Sequence, residues 1–458
     1  MSEKEVSRGK FNFDAPIVNG RPAPYRHIGK YRVRADARDI VTGRCTFLDD
    51  YSVPRMIYAQ VLRSPYPHAL ITKIDVEKAR SFPGVHAVIT YKDMPKGWSM
   101  GWPVHKDLMA QEVYYVGDPV AVIAADTVDI ARDAMQLIEV EYKQLPAVFD
   151  AIESLKPDAP VLYPGKFKSG TNEVDPGVPH FQPEGPWWHV EGGNVEQGFK
   201  ESAYVADSMV EFNKMCSPNA PEAPSCIVRW EGGNDYTIWA SSQSPFIYKL
   251  YNGPRIPKSQ LRVKTFNVGG SYGNKQTMSV TTLCCAIAAI KTGRPVKLVL
   301  NKHEQFAAYE QRLGSKIRAK IGMTEDGIFN AVQGCWYVDT GCLGDAVQGQ
   351  VGVGLGEAQL VMAKCKNWDL DSKVVVTNKA AAGIVRGYGG QELNSCLARN
   401  MAHCMMQADK DPVECFKKNY VAPGDKYYWR DGLIWQSRGS SHYPETMQKA
   451  ADKFGWKD

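Results

Sequence analysis

No run of apolar residues in this 458-residue chain approaches the roughly 18 needed to cross a bilayer; the longest candidate, around Cys284 to Ile290, is far too short. The opening MSEKEVSRGKFNFD carries no apolar core behind its charges, so it does not read as a secretory signal. An excess of one charge is also missing. Lysine and arginine total 55 against 50 acidic residues, a formal +5, which gives no reason to expect nucleic acid or an acidic membrane as a partner. The eleven cysteines include no C-x-x-C pair, so the grouped thiolates of an iron–sulfur cluster are lacking, and scattered buried thiols in a reducing compartment are expected. The nine histidines form neither H-x-H nor H-E-x-x-H, patterns that would mark a protein-ligated zinc. Lone residues such as His303 and His403 read as hydrogen-bonded structural groups. No G-x-S-x-G elbow is present. Gly273-Asn274-Lys275 lacks the order of a phosphate loop, and Gly352 to Gly356 runs G-x-G-x-G rather than the dinucleotide G-x-G-x-x-G. What remains is a cytoplasmic globular protein with no nucleotide, zinc or nucleophile motif of its own.

Apolar residues make up 44% and charged residues 23%, an ordinary balance for a folded chain, and the length suggests two or three domains. The part up to about Ala151 reads as a small α/β domain. It has strands at Met56–Leu62 and Val85–Thr90, and two strand segments within Val113–Ala125 around a Gly117-Asp118-Pro119 turn. Asp126 or Thr127 is placed to cap a helix whose apolar face is Ile130, Ala131, Ala134, Leu137 and Ile138. From Ile138 to Tyr142 the pattern switches to the period of a strand. Residues 166–194 are rich in glycine and proline and read as a linker with a possible insert. Its Trp187-Trp188 pair suits either a contact surface or packing on its own domain. Beyond it lies a larger α/β region, with strands at Tyr236–Ala240, Leu261–Val268 and Val296–Leu300. A small-residue helix runs from Thr277 to Thr292 and is closed by Gly293. An amphipathic helix follows from Gln391 to Met406, and Asp411-Pro412-x-Glu414 reads as a capping-box start. The expected division is an extension over 1–28, a small domain over 29–151, a linker over 152–192 and the larger region over 193–458.

Two glycine-rich loops carry the chemistry that this composition permits. Val268-Gly-Gly-Ser-Tyr-Gly-Asn-Lys275 and Val385-Arg-Gly-Tyr-Gly-Gly390 each read as a strand-to-helix connection. Successive glycines let backbone N–H groups approach a ligand, and a helix start favours negative charge. Together they suit an anionic cofactor, whereas either one alone reads first as a tight turn requiring positive φ.

The order of motifs resembles the molybdopterin-binding subunit of the xanthine dehydrogenase and aldehyde oxidoreductase family, the molybdenum hydroxylases. DARDIVTGRCTFLDD (Asp36–Asp50), LRSPYPHALITKID (Leu62–Asp75), YYVGDPVAVIAADT and IEVEYKQLPAVFD look like that family's opening. GNVEQGF (Gly193–Phe199), ASSQSP (Ala240–Pro245), VGGSYGNK and VRGYGG then recur in the family's order. The resemblance implies an α/β (α+β) chain, a small a/b hammerhead-type domain followed by the first molybdopterin-binding domain. It also implies roles. Gln243 would be the amide that hydrogen-bonds an oxygen of the molybdenum centre, and Gly270, Ser271, Tyr272 and Gly273 the cofactor loop. Arg386 would be a fixed cation beside the metal site or its substrate, and Tyr388 the ring that stacks on a planar substrate. Gln276 stands where purine-oxidising members carry a substrate-contacting glutamate. Glutamine cannot share a proton as a carboxylate does, which argues against xanthine, and the substrate-binding arginine of the purine enzymes has no counterpart around Gly356-Glu357. The second loop continues Gly-Gly-Gln-Glu where the family commonly has Gly-x-Pro-Gln. Glycine after Arg386, in place of Cys-Ser, argues against carbon monoxide oxidation.

In the family, a segment like YPETMQKAADKFGWKD is followed by another large region with a further cofactor loop and a glutamate general base. Here the sequence stops at Asp458, at a family domain junction, so a naturally split subunit of the nicotinate-dehydrogenase-like kind is expected rather than a truncation. No residue present fits the general base, which is assigned to the partner. The resemblance implies a molybdopterin cofactor, in the cytosine dinucleotide form, whose molybdenum is held by the pterin and by no protein ligand. It further implies three partners: a second molybdopterin subunit carrying the C-terminal half, a [2Fe–2S] subunit and an FAD subunit. The expected activity is hydroxylation, with water, of a small N-heteroaromatic or related aromatic substrate. Aromatic reductive dehydroxylation and aldehyde oxidation on the same scaffold are the alternatives. A scaffold subunit without cofactor is the reading from another class, and the polar pair Gln243 and Arg386 argues against it.

Overall fold

Alternating apolar residues build the strands on which the molecule rests. The computed structural model describes residues 32–100, 106–167, 170–174, 188–212, 216–250, 256–343, 347–429, 433–436 and 442–457, with the backbone of 17–18 and 21–22. It divides into two units, 1–46 and 47–458. In the first, a two-stranded hairpin pairs Ile17–Val18 with Arg21–Pro22, and a short helix covers Ala37–Val41.

The second unit holds the strands Ile57–Arg63 (β1), Val85–Thr90 (β2), Pro119–Ala125 (β3), His189–Gly192 (β4), Tyr204–Phe212 (β5) and Ser225–Gly232 (β6). They are followed by Asp235–Ala240 (β7), Leu261–Thr265 (β8), Val296–Val299 (β9), Gly314–Met323 (β10), Phe329–Asp339 (β11) and Asn367–Val375 (β12). Its principal helices are Val128–Met135 (α1), Val280–Thr292 (α2), Val347–Val361 (α3) and Gly390–Gln407 (α4).

A seven-stranded sheet has the order β8-β7-β6-β9-β1-β3-β2. It is continuous across the expected domain boundary, because β9 pairs in parallel with β1 through Val296 beside Ile57. β3 is buried along its whole length, as a central strand covered on both faces must be. α2 lies against this sheet and is buried from Thr281 to Ala289 without a break, which is why its sequence is small and apolar all round. A five-stranded sheet, in the order β4-β12-β11-β10-β5, packs against α3 and α4 through Trp336, Leu355, Leu393, Leu397 and Met401. Asn378 ties the two parts together. Its Oδ1 accepts from the Val148 N–H at 2.9 Å, and its Nδ2 donates to the Pro67 and Tyr114 carbonyls at 3.3 and 3.0 Å.

Most expected elements are present, with instructive differences. Thr127, not Asp126, caps α1, accepting from Ile130 N; Asp126 pairs with His86 instead. The strand expected to reach Val268 ends at Thr265, and the helix expected from Thr277 starts at Val280. Asp411 caps its helix by accepting from Val413 N, but Glu414 closes no capping box and pairs with Lys417. Trp188 is buried in the large core, while Trp187 lies outside the described residues. All eleven cysteines are free thiols and eight are buried. Among the described residues, no group of His, Cys, Asp or Glu could hold a metal, and no helix is long and apolar enough to cross a membrane.

Candidate functional site

The two glycine loops meet. The Arg386 N–H donates to the Tyr272 carbonyl at 2.7 Å, and a Cβ at Gly273 would lie 2.6 Å from the Ile384 carbonyl. Gly273 therefore has neither room for a side chain nor, at φ +110°, a backbone conformation that other residues readily adopt. The loops share a strained design. Tyr272 and Tyr388 both take left-handed backbone, at φ 56° and 43°, Tyr388 directly between Gly387 and Gly389 and Tyr272 just before Gly273, all three glycines having positive φ. A non-glycine residue in that region costs energy and is held there only by its surroundings.

Only one of the loops opens a helix. Gly389, at φ +94°, is the N-cap residue of α4, as the sequence suggests. VGGSYGNK instead ends in a turn over residues 272–275, short of α2. Its N–H groups are presented by a turn with positive φ at Gly270, Tyr272 and Gly273 rather than by a helix start, and backbone that mixes right- and left-handed residues is the kind from which anion-binding nests are built. The N–H groups of Ser271 and Tyr272 donate to no acceptor among the described residues.

Gln243 stands three residues past the end of β7 and reaches across to this loop. Its Oε1 accepts from the Ser271 hydroxyl and from the Gly273 N–H, the latter at 3.0 Å. The amide is thereby oriented: oxygen inward, Nε2 outward as a donor, with the Gln276 Oε1 at 3.4 Å. Arg386 is exposed, and its guanidinium forms no hydrogen bond or ion pair among the described residues. Tyr388 is half-buried. A Cβ at Gly349 would lie 2.6 Å from its hydroxyl, so glycine at 349 leaves room for the second loop against α3. Gly354 does the same beside the Gly389 carbonyl, at 2.8 Å. Gly354, the middle glycine of the run that fails as a nucleotide motif, packs against the second loop.

Two charged groups escape sequence reasoning. Arg312 donates to Glu392 Oε1 and to the Arg386 carbonyl, each at 2.6 Å, anchoring the second loop. Lys275 is fully buried and donates to the Glu222 carbonyl at 2.7 Å, Glu222 Oε2 at 3.0 Å and Ser241 Oγ at 2.9 Å. Burial pulls the Lys275 ammonium below its ordinary range, against the opposing pull of Glu222. Neither partnership has a local signal, since Lys275 and Glu222 are 53 positions apart.

Glu357 on α3 lies beside the start of α4, and burial, then the Glu392 carboxylate, push its carboxyl up from 4.5. With a raised folded-state value, the stability linked to its proton is complete below about pH 4.5 and is lost as pH rises. Glu357→Gln is thus expected to raise the thermal midpoint at neutral pH, with the gain vanishing near pH 4. Equal gains at both pH values would contradict this.

The residues fit an anionic, oxygen-bearing cofactor. Loop N–H groups without an acceptor among the described residues, an outward amide donor and an exposed cation flank two backbones that approach closely, and among the described residues no group of carboxylates, His or Cys could hold a metal.

Comparison with known proteins bears on what that cofactor is. A family model described as the molybdopterin cofactor-binding domain matches residues 178–420, just over half of the chain. A second, the aldehyde oxidase and xanthine dehydrogenase a/b hammerhead domain, matches residues 42–146. The chain is 31% identical over 403 residues to a probable xanthine dehydrogenase subunit of Bacillus subtilis, covering 86% of this chain and 51% of the relative. It is 28% identical to the nicotinate dehydrogenase large molybdopterin subunit of Eubacterium barkeri, covering 94% of this chain and 96% of that one. The chain thus spans about half the length of the first relative and nearly all of the second. In fold it is similar to quinoline 2-oxidoreductase from Pseudomonas putida 86, with a TM-score of 0.78 at 23% identity over 94% of this chain and 54% of that one. The chain belongs to the molybdopterin cofactor-binding family, that of the xanthine dehydrogenase and aldehyde oxidoreductase large subunits.

Proposed function

We propose that this chain is the molybdenum-cofactor-binding subunit of a multi-subunit oxidoreductase that hydroxylates a small N-heteroaromatic substrate with oxygen from water. The observation that carries this reading is the fixed Gln243 amide, whose outward Nε2 stands beside the first glycine loop. When bound, the molybdopterin supplies the two-electron redox chemistry that no side chain here provides. The chain's own part is to bind and orient. The loop N–H groups and Arg386 would hold the cofactor's negative charge, Gln243 would offer it a neutral hydrogen-bond donor, and Tyr388 would offer a ring for a flat substrate.

Gln276, a neutral amide at the edge of the site, suits a heterocycle with a ring nitrogen better than a group that must exchange a proton. The similarity across nearly the whole nicotinate dehydrogenase large molybdopterin subunit supports a split arrangement. In it, a second molybdopterin subunit supplies the C-terminal half with its general base, and [2Fe–2S] and FAD subunits carry electrons away. The cytosine dinucleotide form of the cofactor and a cytoplasmic location belong to the same proposal.

The test is a substrate screen of the purified assembly against N-heteroaromatics, aldehydes and phenolic compounds, repeated with Tyr388→Ala. The expected result is turnover of an N-heteroaromatic, with the variant raising KM about tenfold, as loss of one stacking contact would. Preference for an aldehyde, or unchanged KM in the variant, would overturn the assignment.

A further inference from the structure

The first glycine loop is held at both ends by one carboxylate. Glu222 Oε2 accepts from the Gly269 N–H at 2.8 Å, at the start of the loop, and from Lys275 Nζ at 3.0 Å, at its end. It also accepts from the Ser241 hydroxyl at 2.6 Å. The Glu222 N–H donates back to the Gly269 carbonyl at 2.9 Å, and a Cβ at Gly269 would lie 2.5 Å from the Glu222 Cβ. Lys275 spends all three ammonium protons on this cluster. With its position set, the Lys275 N–H donates to Ser271 Oγ at 3.1 Å. A hydroxyl that accepts there has its own proton to give, and the partner in reach is Gln243 Oε1.

We infer that Ser271 is a positioning residue that sets the Gln243 amide with its donor outward, and that Glu222 and Lys275 staple the loop so that it can. This rests on the reading that Gln243 faces the bound cofactor. An amide can flip, and either of its two orientations fills the same space; the Ser271 proton and the Gly273 N–H select one. Without the hydroxyl, one of those two selecting donors is gone, and the outward group becomes a mixture of donor and acceptor.

The assembled, molybdenum-loaded complex with Ser271→Ala is the test, alongside Ser271→Thr, which keeps the hydroxyl, and Gln243→Glu, which keeps the shape but loses the donor. Metal content, kcat, KM and the electron paramagnetic resonance spectrum of the half-reduced metal are measured for each. Ser271→Ala is expected to keep its molybdenum and KM, to lower kcat about tenfold, and to shift the spectrum in the direction seen in Gln243→Glu. Ser271→Thr should restore both. An unchanged spectrum and kcat in a loaded Ser271→Ala complex would overturn the positioning role and leave the proposed function standing. Loss of molybdenum from that variant would also overturn it, since the hydroxyl would then be retaining the cofactor. A wild-type complex without molybdenum would overturn both.

Discussion

Lys275→Met is expected to destabilise this chain by about 3–5 kcal/mol, the usual consequence of stripping one partner from a buried ion pair. Lys275 has no exposed surface, and the Glu222 side chain retains 11%. Methionine fills nearly the same volume, so the loss is not one of packing. It comes from a carboxylate left in a place that water barely reaches, and from a Ser241 hydroxyl deprived of its donor. The thermal midpoint should fall by on the order of 10 °C. Adding Glu222→Met removes the stranded charge and should recover part of the loss, because two apolar groups of similar size tolerate burial without pairing. A single variant as stable as the parent, or a double variant less stable than the single, would show that the pair does not hold the loop.

Gln243→Ala should lower kcat by about 100-fold while leaving folding and assembly intact, at the upper end of what groups hydrogen-bonded to metal-bound atoms contribute. Gln243 is largely exposed and makes its bonds to Ser271 and Gly273 at the loop edge, not in a core. Its removal leaves the Lys275 cluster and the contact between the two loops untouched. KM should change little, since in the proposed reading it is the Tyr388 ring that meets the substrate. A fall in thermal midpoint comparable to that of Lys275→Met would mean that Gln243 is structural.

Local signals account for what the sequence reveals of this fold. The Gly117-Asp118-Pro119 turn separates two strands, as its position suggests, although Glu112–Val113 and Pro119–Ala125 join different sheets, and Gly293 closes α2 in left-handed backbone. The amphipathic stretch of α4 is legible because Leu393, Cys396, Leu397, Met401 and Cys404 recur at helical spacing and are all buried. Partnerships between distant segments are not legible. β1 meets β9 across more than two hundred intervening residues, joining what composition divides at a linker. Gly354 of α3 reads as part of a defective nucleotide motif because the second loop lying against it is not written nearby. The same holds in the site. Gln243, Tyr272, Arg386 and Tyr388 sit in recognisable motifs, whereas Glu222 sits in none, and its role appears only when residues 222, 241, 269 and 275 converge.

The central claim, that these loops hold a molybdenum cofactor, is tested most directly by metal analysis of the assembly purified through this chain. About one molybdenum per copy is predicted in active material, with the pterin recovered alongside it. An assembly that turns over substrate with far less molybdenum than protein would contradict the account.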